Sequence, residues 1–285
     1  MKFYNDKKEY GWGNKIIDNL SNDLINFFPN MTGLSSRNLN YMRKFAETYQ
    51  DFEFVQQVVA QLTWGLNMTI ITKIKDTTER EFYIKKSIEN GWSRNVLNIQ
   101  IESDLYTRQI KNEKTTNFAS TMPKEDSDLA NEIIKDPYRF DFLNLTEKVK
   151  EIDIEKALVQ HLKEFLLELG TGFAYVGEQY HLQIENEDFY IDLLFYNFKL
   201  KCFVVIELKT GDFKPEYVGK LNFYINAVDD LLKNKDDKQT IGLLLCKNKN
   251  KTIAKYSLEQ LNTPMGVAEY TIFPTIKEIE KELNK

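Results

Sequence analysis

The sequence predicts a chain in two parts, a mainly α-helical first half and a mixed α/β second half whose sheet is flanked by helices. Three observations predict it. Apolar residues recur at helical spacing through the first hundred or so positions. A polar stretch, KNEKTTNFASTMPKEDSD, then breaks the pattern between Lys111 and Pro137. Beyond it, short apolar runs of strand length alternate with amphipathic helical segments. The expected division is a helical domain over 1–115, a linker or arm over 116–145, and an α/β domain over 146–285.

The elements follow in order. Trp12 to Phe28 carries Ile16, Ile17, Leu20, Leu24, Phe27 and Phe28 at helical spacing, and Pro29 stops it. Asn30 to Gly33 reads as a turn. Ser35 or Ser36 can cap a second helix that carries Leu39, Met42 and Phe45 on one face. Helix, short turn, helix is the outline of a helix-turn-helix. Further helices are expected near 53–74, 77–90 and 93–110. In the second half, Ile152 to Leu169 is a helix closed by Gly170 and Gly172. Phe173 to Ile184 and Phe189 to Tyr196 are strands around the turn Glu185–Asp188, and Lys201 to Lys209 is a third. Pro215 to Lys233 is a long helix with proline in its first turn. Thr240 to Cys246 is a buried strand, Ile253 to Leu261 a short helix, Val267 to Phe273 a strand, and 275–284 a charged terminal helix.

Composition narrows the function classes. With 42% hydrophobic and 13% aromatic residues, the chain can bury real cores. No apolar run reaches the ~20 residues of a membrane span. MKFYNDKKEY lacks the apolar centre of a signal peptide, so a cytoplasmic protein without membrane partners is expected. Cys202 and Cys246 both lie in apolar runs and read as reduced core thiols. Two histidines and no close Cys/His pair argue against zinc. Net charge is −5, which alone argues against a nucleic-acid partner. Its distribution says more: residues 1–150 carry 21 basic and 21 acidic side chains, whereas 151–285 carry 17 lysines and 22 acids. All six arginines fall in the first half. An AT-rich coding sequence would favour lysine everywhere, and arginines retained for phosphate contacts would give the same skew. Arg37 and Arg43, on the second helix, are the candidates for such contacts.

The chemistry concentrates on two consecutive strands. FYIDLLFY holds one charge, Asp192, and CFVVIELK holds Glu207 and Lys209. Strand side chains alternate, so Glu207 and Lys209 emerge on one face. A carboxylate inside a buried strand is unfavourable unless paired or metal-bound, and two neighbouring ones repel. A divalent cation answers both problems, and hard oxygen donors suit Mg²⁺ or Mn²⁺. A same-face ion pair between Glu207 and Lys209, with Asp192 at a strand end, is the alternative reading of the same residues. Lys220 and Tyr224 lie four apart on the following helix and share a face.

Asp192, followed fourteen residues later by Glu207-Leu208-Lys209, resembles the D…(D/E)xK signature of the PDDEXK, or restriction-endonuclease-like, nuclease superfamily. The flanking stretches ALVQHLKEFLLELGTGFAYVGEQYHL, DFYIDLLFYNFKLKCFVVIELKTGDFKPEYVGKLNFYINAVDD and IGLLLCKNKN resemble the YhcG family within it. GLSSRNLNYMRKFAE and ENGWSRNVLNIQIES resemble that family's N-terminal region. The resemblance implies a metal-dependent nuclease acting on phosphodiesters, of DNA first and with RNA left open, in defence against foreign DNA or in repair and recombination. A binding or assembly protein with a silent nuclease fold and a junction-resolving endonuclease are the alternatives, and a homo-oligomer is compatible with each. Asp192, Glu207 and the Leu208 carbonyl would hold Mg²⁺ or Mn²⁺, with Glu155 as a first acid acting directly or through water. Lys209 would orient and deprotonate water or stabilise charge on the phosphate. Lys220 and Tyr224 resemble the Q-x-x-x-Y motif of RecB-like nucleases, with lysine in the glutamine's place. Gln179 would face the site from the first strand and, with Tyr224, contact nucleic acid. Two departures concern the N-terminal half: relatives usually carry further helical sequence before the GWG segment, and a histidine where this chain has Leu66.

Overall fold

The computed structural model describes residues 14–57, 59–143 and 150–272. The chain divides into two compact units, residues 1–102 and 103–285. The first is helical: α1 (Asn14–Phe27), α2 (Ser36–Thr48), α3 (Phe52–Gln57), a 3₁₀ turn at Val59–Gln61, α4 (Trp64–Lys73), α5 (Thr77–Asn90) and α6 (Arg94–Glu102). Local signals explain the ends. The Ser35 hydroxyl accepts from the Asn38 N–H and caps α2. Asp76 caps α5 in the same way, and Gly91, at φ 59°, closes it in the left-handed conformation. Ile70, Tyr83, Ile84 and Leu97 form the centre of this unit and are fully buried. The helix expected over 53–74 is broken by the 3₁₀ turn, and the one expected over 93–110 ends at Glu102. The connection between α1 and α2 runs from Phe28 to Ser35, longer than the ~3–4 residues of a helix-turn-helix, so this helix pair does not by itself make that motif.

The second unit opens with a π turn at Thr107–Lys111, followed by β1 (Thr115–Thr116), α7 (Phe118–Thr121), α8 (Lys124–Ile133) and β2 (Tyr138–Arg139). Then come α9 (Glu151–Gln160), α10 (Leu162–Leu169), β3 (Phe173–Ile184), β4 (Glu187–Asn197) and β5 (Cys202–Asp212). It ends with α11 (Glu216–Leu231), β6 (Ile241–Asn248), α12 (Lys251–Leu258) and β7 (Met265–Thr271). The seven strands form one mixed sheet in the order β1-β7-β6-β5-β4-β3, with β2 also on β7. The β3–β4 and β4–β5 pairs are antiparallel, and β5–β6 and β6–β7 are parallel. One face packs on α8, α9 and α10 through residues such as Ile134, Leu158 and Phe165. The other packs on α11 and α12 through Leu221, Ile225 and Ala254. The result is a three-layer α/β/α unit, the mixed sheet flanked by helices that the sequence predicts. The expected terminal helix at 275–284 lies outside the described residues.

Two expectations are corrected. The stretch 116–145, expected as a linker or arm, has its described residues built into the α/β unit. β1 and β2 bond successively along β7, so the sheet's open edge is paired rather than left to solvent. Phe118, Tyr138, Phe140 and Leu143 are fully or almost fully buried in the main core. Composition misled because these aromatics are sparse among polar neighbours. The single helix expected over Ile152–Leu169 is two helices, broken at His161, whose φ of −107° and ψ of 38° leave the helical region. The break lets α10 send Glu168 into a buried cluster with Arg108 and Lys135.

The close approach of α11 to β6 depends on Gly242. A Cβ there would stand 2.6 Å from Ile225 Cδ1 and 2.8 Å from Leu221 Cγ. Overpacking of this kind costs about 1–3 kcal/mol. Gly242→Ala should therefore lower the unfolding free energy by about that amount in a denaturant titration. Gly211→Ala, where no atom lies within 4 Å of the added carbon, should change it far less.

Candidate active site

Strand β5 sets the faces. Val204, Ile206 and Leu208 point into the core under α9 and α10, and Val205 into the core under α11. Glu207 and Lys209 share the parity of Val205, and both meet α11: Lys220 Nζ is 2.9 Å from Glu207 Oε2, and Lys209 Nζ lies 5.6 Å from the Tyr217 ring centre. Asp192 comes one step past the registered pair Leu193–Ile206, which puts it across from Glu207. There the ladder gives way: the Leu208 N–H donates to Asp192 Oδ2 at 2.9 Å. On its other side Asp192 faces Gln179, which lies between the registered pairs Glu178–Leu193 and Tyr180–Ile191. Gln179 has φ 43°, a left-handed conformation that non-glycine residues adopt at a cost of order 1–2 kcal/mol and that clusters at functional sites.

The pair is deeply buried. Glu207 is 1% exposed and Asp192 7%. Lys209 Nζ lies 3.9 Å from Asp192 Oδ2 and 3.7 Å from Glu207 Oε2. It donates to the Leu208 carbonyl at 2.6 Å and to Glu151 Oε2 at 3.1 Å. Glu207 Oε1 is buried and has no hydrogen-bond partner. Burial, followed by the Asp192 charge, pushes the Glu207 carboxyl up to about 7, and the ion pair to Lys220 only partly opposes this. Burial also raises Asp192. Burial works against the Lys209 charge, but Asp192 and Glu207 outweigh it and hold the ammonium above its usual range. Around the pair, four carboxylates (Asp192, Glu207, Glu151 and Glu155) face two ammonium groups (Lys209 and Lys220), leaving an excess of negative charge.

The structure thus gathers Asp192, Glu207, Leu208, Lys209 and Lys220. Glu155, buried on α9, takes a hydrogen bond from Gln179 at 2.5 Å and is pushed up to about 7 by burial and then by Asp192. Gln179 meets the site through Glu155. Among the described residues no three acid, histidine or cysteine side chains form a metal cage. Tyr224 differs from expectation: it is 4% exposed, and its hydroxyl donates to the Tyr190 carbonyl at 2.7 Å. Committed there, it anchors α11 to β4 and leaves its ring 5.1 Å from Lys220 Nζ, so it offers nucleic acid no contact here. Arg37 and Arg43 are exposed on α2 in the other unit. Sequence reasoning missed Glu151, which accepts from Lys209 and from the Thr210 N–H at 3.3 Å. Its signal was an acid in the first turn of α9, one turn before Glu155.

The family model of the YhcG PDDEXK nuclease domain matches residues 131–284, and that of the DUF1016 N-terminal domain matches residues 2–108. YhcG of Escherichia coli (strain K12), named as a candidate nuclease, is 31% identical over 302 residues, which cover 95% of this chain and 80% of YhcG. Two solved structures align with part of the chain. A repair endonuclease from Pyrococcus abyssi shares 16% identity over 45% of this chain and 48% of its own, with a TM-score of 0.30. The EndoMS–dsDNA2 complex shares 17% over 47% and 48%, with a TM-score of 0.31. The match spans about half the length of each of those two chains.

A carboxyl raised to about 7 keeps a proton in the folded chain that the unfolded chain releases near 4.5. The stability this gives is complete below the unfolded value and is lost as pH rises to about 7. Glu155 acts in the same direction. The metal-free protein should therefore lose stability between pH 5 and 8, by roughly 1 kcal/mol or more. Glu207→Gln should flatten that slope and raise the melting temperature at pH 8 by a few degrees. Calorimetry across that range in EDTA checks both, and a slope unchanged by the substitution would contradict the assignment.

Proposed function

Since the chain belongs to the YhcG family of PDDEXK nuclease-domain proteins, we propose that it is a divalent-metal-dependent nuclease that hydrolyses the phosphodiester bonds of DNA at the Asp192–Glu207–Lys209 cluster. The observation that carries this reading is the orphaned Glu207 oxygen. A buried polar atom without a partner costs roughly 1–3 kcal/mol, and more when charged. Glu207 lies across from a second buried carboxylate, Asp192, in a site with excess negative charge. A hard cation with two positive charges is the complement that such oxygen donors fit.

Asp192 and Glu207 would hold Mg²⁺ or Mn²⁺, with the Leu208 carbonyl beside them and Glu155 acting through water. Bound there, the ion would lower the pKa of its water and offset the charge that builds on the phosphodiester. The protein's own groups do the rest. Lys209, kept protonated by its carboxylate neighbours, is a fixed positive charge for the developing phosphorane-like oxygens and a donor that orients the attacking water. Its role is electrostatic rather than basic. Glu151 and the Leu208 carbonyl hold the ammonium in place. Lys220 neutralises one Glu207 oxygen and leaves the other for the ion.

The purified full chain should nick supercoiled DNA in Mg²⁺ or Mn²⁺ and stop in EDTA, and linear, single-stranded, branched and RNA substrates would define its preference. Ca²⁺ should support binding better than turnover. Lys209→Ala should lose about 10²–10³-fold in rate while keeping its Mg²⁺-induced rise in melting temperature. Cleavage that survives EDTA, or a Lys209→Ala variant that cuts at the wild-type rate, would overturn the proposal.

The helical unit is proposed to supply affinity through Arg37 and Arg43. Six residues apart, they leave α2 about 240° from one another, so their contributions should differ. A residue that contacts phosphate should, when changed to alanine, weaken binding similarly on all sequences and lower the salt slope by roughly one. Titration in Ca²⁺ at several salt concentrations reads this directly. Slopes unchanged in both variants would remove α2 from the interface.

A further inference from the structure

The helical unit contains a cleft of about 570 Å³, within the ~300–1,000 Å³ usual for small-molecule sites. Three helices begin in its wall. Arg37 and Asn38 lie in the first turn of α2, Trp64 and Gly65 open α4, and Arg94 opens α6. Helix starts carry unpaired N–H groups and partial positive charge, so they favour anions. Side chains add to this. Arg37, Lys73 and Arg94 line the cleft, and no described lining residue is acidic. Lys73 is paired with Glu102 at 2.6 Å, which tempers its charge. The two arginines are not so paired: Arg94 bonds through Nε to Thr69 Oγ1 at 3.2 Å, and Arg37 lies 5.8 Å from the Tyr41 ring centre. In a chain of net charge −5, a cleft lined by two arginines and by no acid among the described residues is built for an anion.

The cleft also has an aromatic platform. Trp64 is 39% exposed, yet it is held in place. Its Nε1 donates to Asn38 Oδ1 at 2.8 Å, and its ring lies 5.5 Å from Phe45. Tyr41 lines the same cleft, and so does Asn98, whose Oδ1 has no hydrogen-bond partner. An anion site beside a fixed aromatic ring and an unpaired amide oxygen, an acceptor for a base N–H, matches a phosphate joined to a base. The two halves of the site are built alike. Each half sets an arginine in the first turn of a helix after a capping serine: the Asn38 N–H donates to Ser35 Oγ two residues before Arg37, and the Val96 N–H donates to Ser93 Oγ just before Arg94.

We propose that this cleft is a nucleotide-binding site, in which Arg37 and Arg94 hold a phosphate and Trp64 stacks an unpaired base. The inference deepens the reading of nucleic acid as the partner of the helical unit, and it does not depend on the metal site. The nucleotide can belong to an unpaired strand or be free, and the chemistry is shared.

The test uses the full chain in EDTA, where no cleavage occurs. Inorganic phosphate, a 5′-deoxymononucleotide, a single-stranded oligonucleotide and a blunt, fully paired duplex are compared as ligands. The single strand should bind at least ten-fold more tightly than the duplex. Arg94→Ala and Trp64→Ala should each weaken it about ten-fold, and Arg37→Ala should lower its salt slope by roughly one. Trp64→Phe, which keeps a ring, should retain most of the binding and guards against a folding defect in Trp64→Ala. Competition by the mononucleotide also supports the site and assigns it to a free nucleotide or strand end. Three results would overturn the proposal: single-strand binding unchanged in Arg94→Ala, duplex binding as tight as single-strand binding, or inorganic phosphate competing as well as the nucleotide. Glu207→Gln separates the two readings, because it should abolish cleavage in Mg²⁺ and leave this binding unchanged in EDTA.

Discussion

Two carboxylates that must be buried side by side govern the α/β unit. Asp192 and Glu207 sit on adjacent strands with almost no solvent access, and neither can be charged there without help. The surrounding elements supply it. Lys209 comes from the same strand as Glu207, two residues on, so alternation alone brings it to the same face. Lys220 comes from α11, which must lie close to the sheet to reach Glu207, and Gly242 on β6 makes that approach feasible. Tyr224, one turn along α11, ties the helix to the Tyr190 carbonyl and so fixes where Lys220 stands. Glu151 enters from the opposite layer and balances Lys209. The help stops short of neutrality, since Glu207 Oε1 keeps no partner. A protein that only needed a stable sheet would gain by replacing this pair with apolar residues. That the site retains it fits a place where stability is given up for function.

The sheet has a second requirement, the closure of its β7 edge. β7 is apolar and buried, and an open edge there would offer unpaired N–H and C=O groups to other chains. β1 and β2 take up those groups in turn, and Phe118 and Phe140 bring their rings into the core. The segment is held at its start by Arg108, which bonds Glu168 on α10 and the carbonyls of Ser103 and Pro137. Asp136 adds a bond from the Glu269 N–H and an ion pair with Lys249. Hence the α/β unit begins near residue 103 rather than near 146.

The two units differ in electrostatic character. In the α/β unit, acids outnumber the cations around the candidate active site, which suits a divalent ion. In the helical unit, arginines outnumber the acids around the cleft, which suits a phosphate. Sequence composition averages these into a modest net negative charge and conceals both. The arginine skew between the two halves was the one trace of the difference visible in the chain itself.

Much of the fold and the centre of the site were legible in the residues. Strand alternation put Glu207 and Lys209 on one face, and a lone aspartate in FYIDLLFY marked the neighbouring strand. A serine signal located the start of α2, because caps act within four residues, and the helix expected near 77–90 is α5. What the sequence by itself determined is therefore what short-range geometry determines: periodicity, caps, and which side chains of one strand share a face. Only the tertiary structure decided the rest. That Glu151 reaches Lys209 across 58 positions, that Tyr224 turns its hydroxyl to Tyr190, that residues 115–139 complete a sheet edge, and that Arg37 and Arg94 share one cleft are contacts between distant segments. No local propensity encodes them. They follow from the way buried polar groups and open strand edges must find partners once the layers have packed.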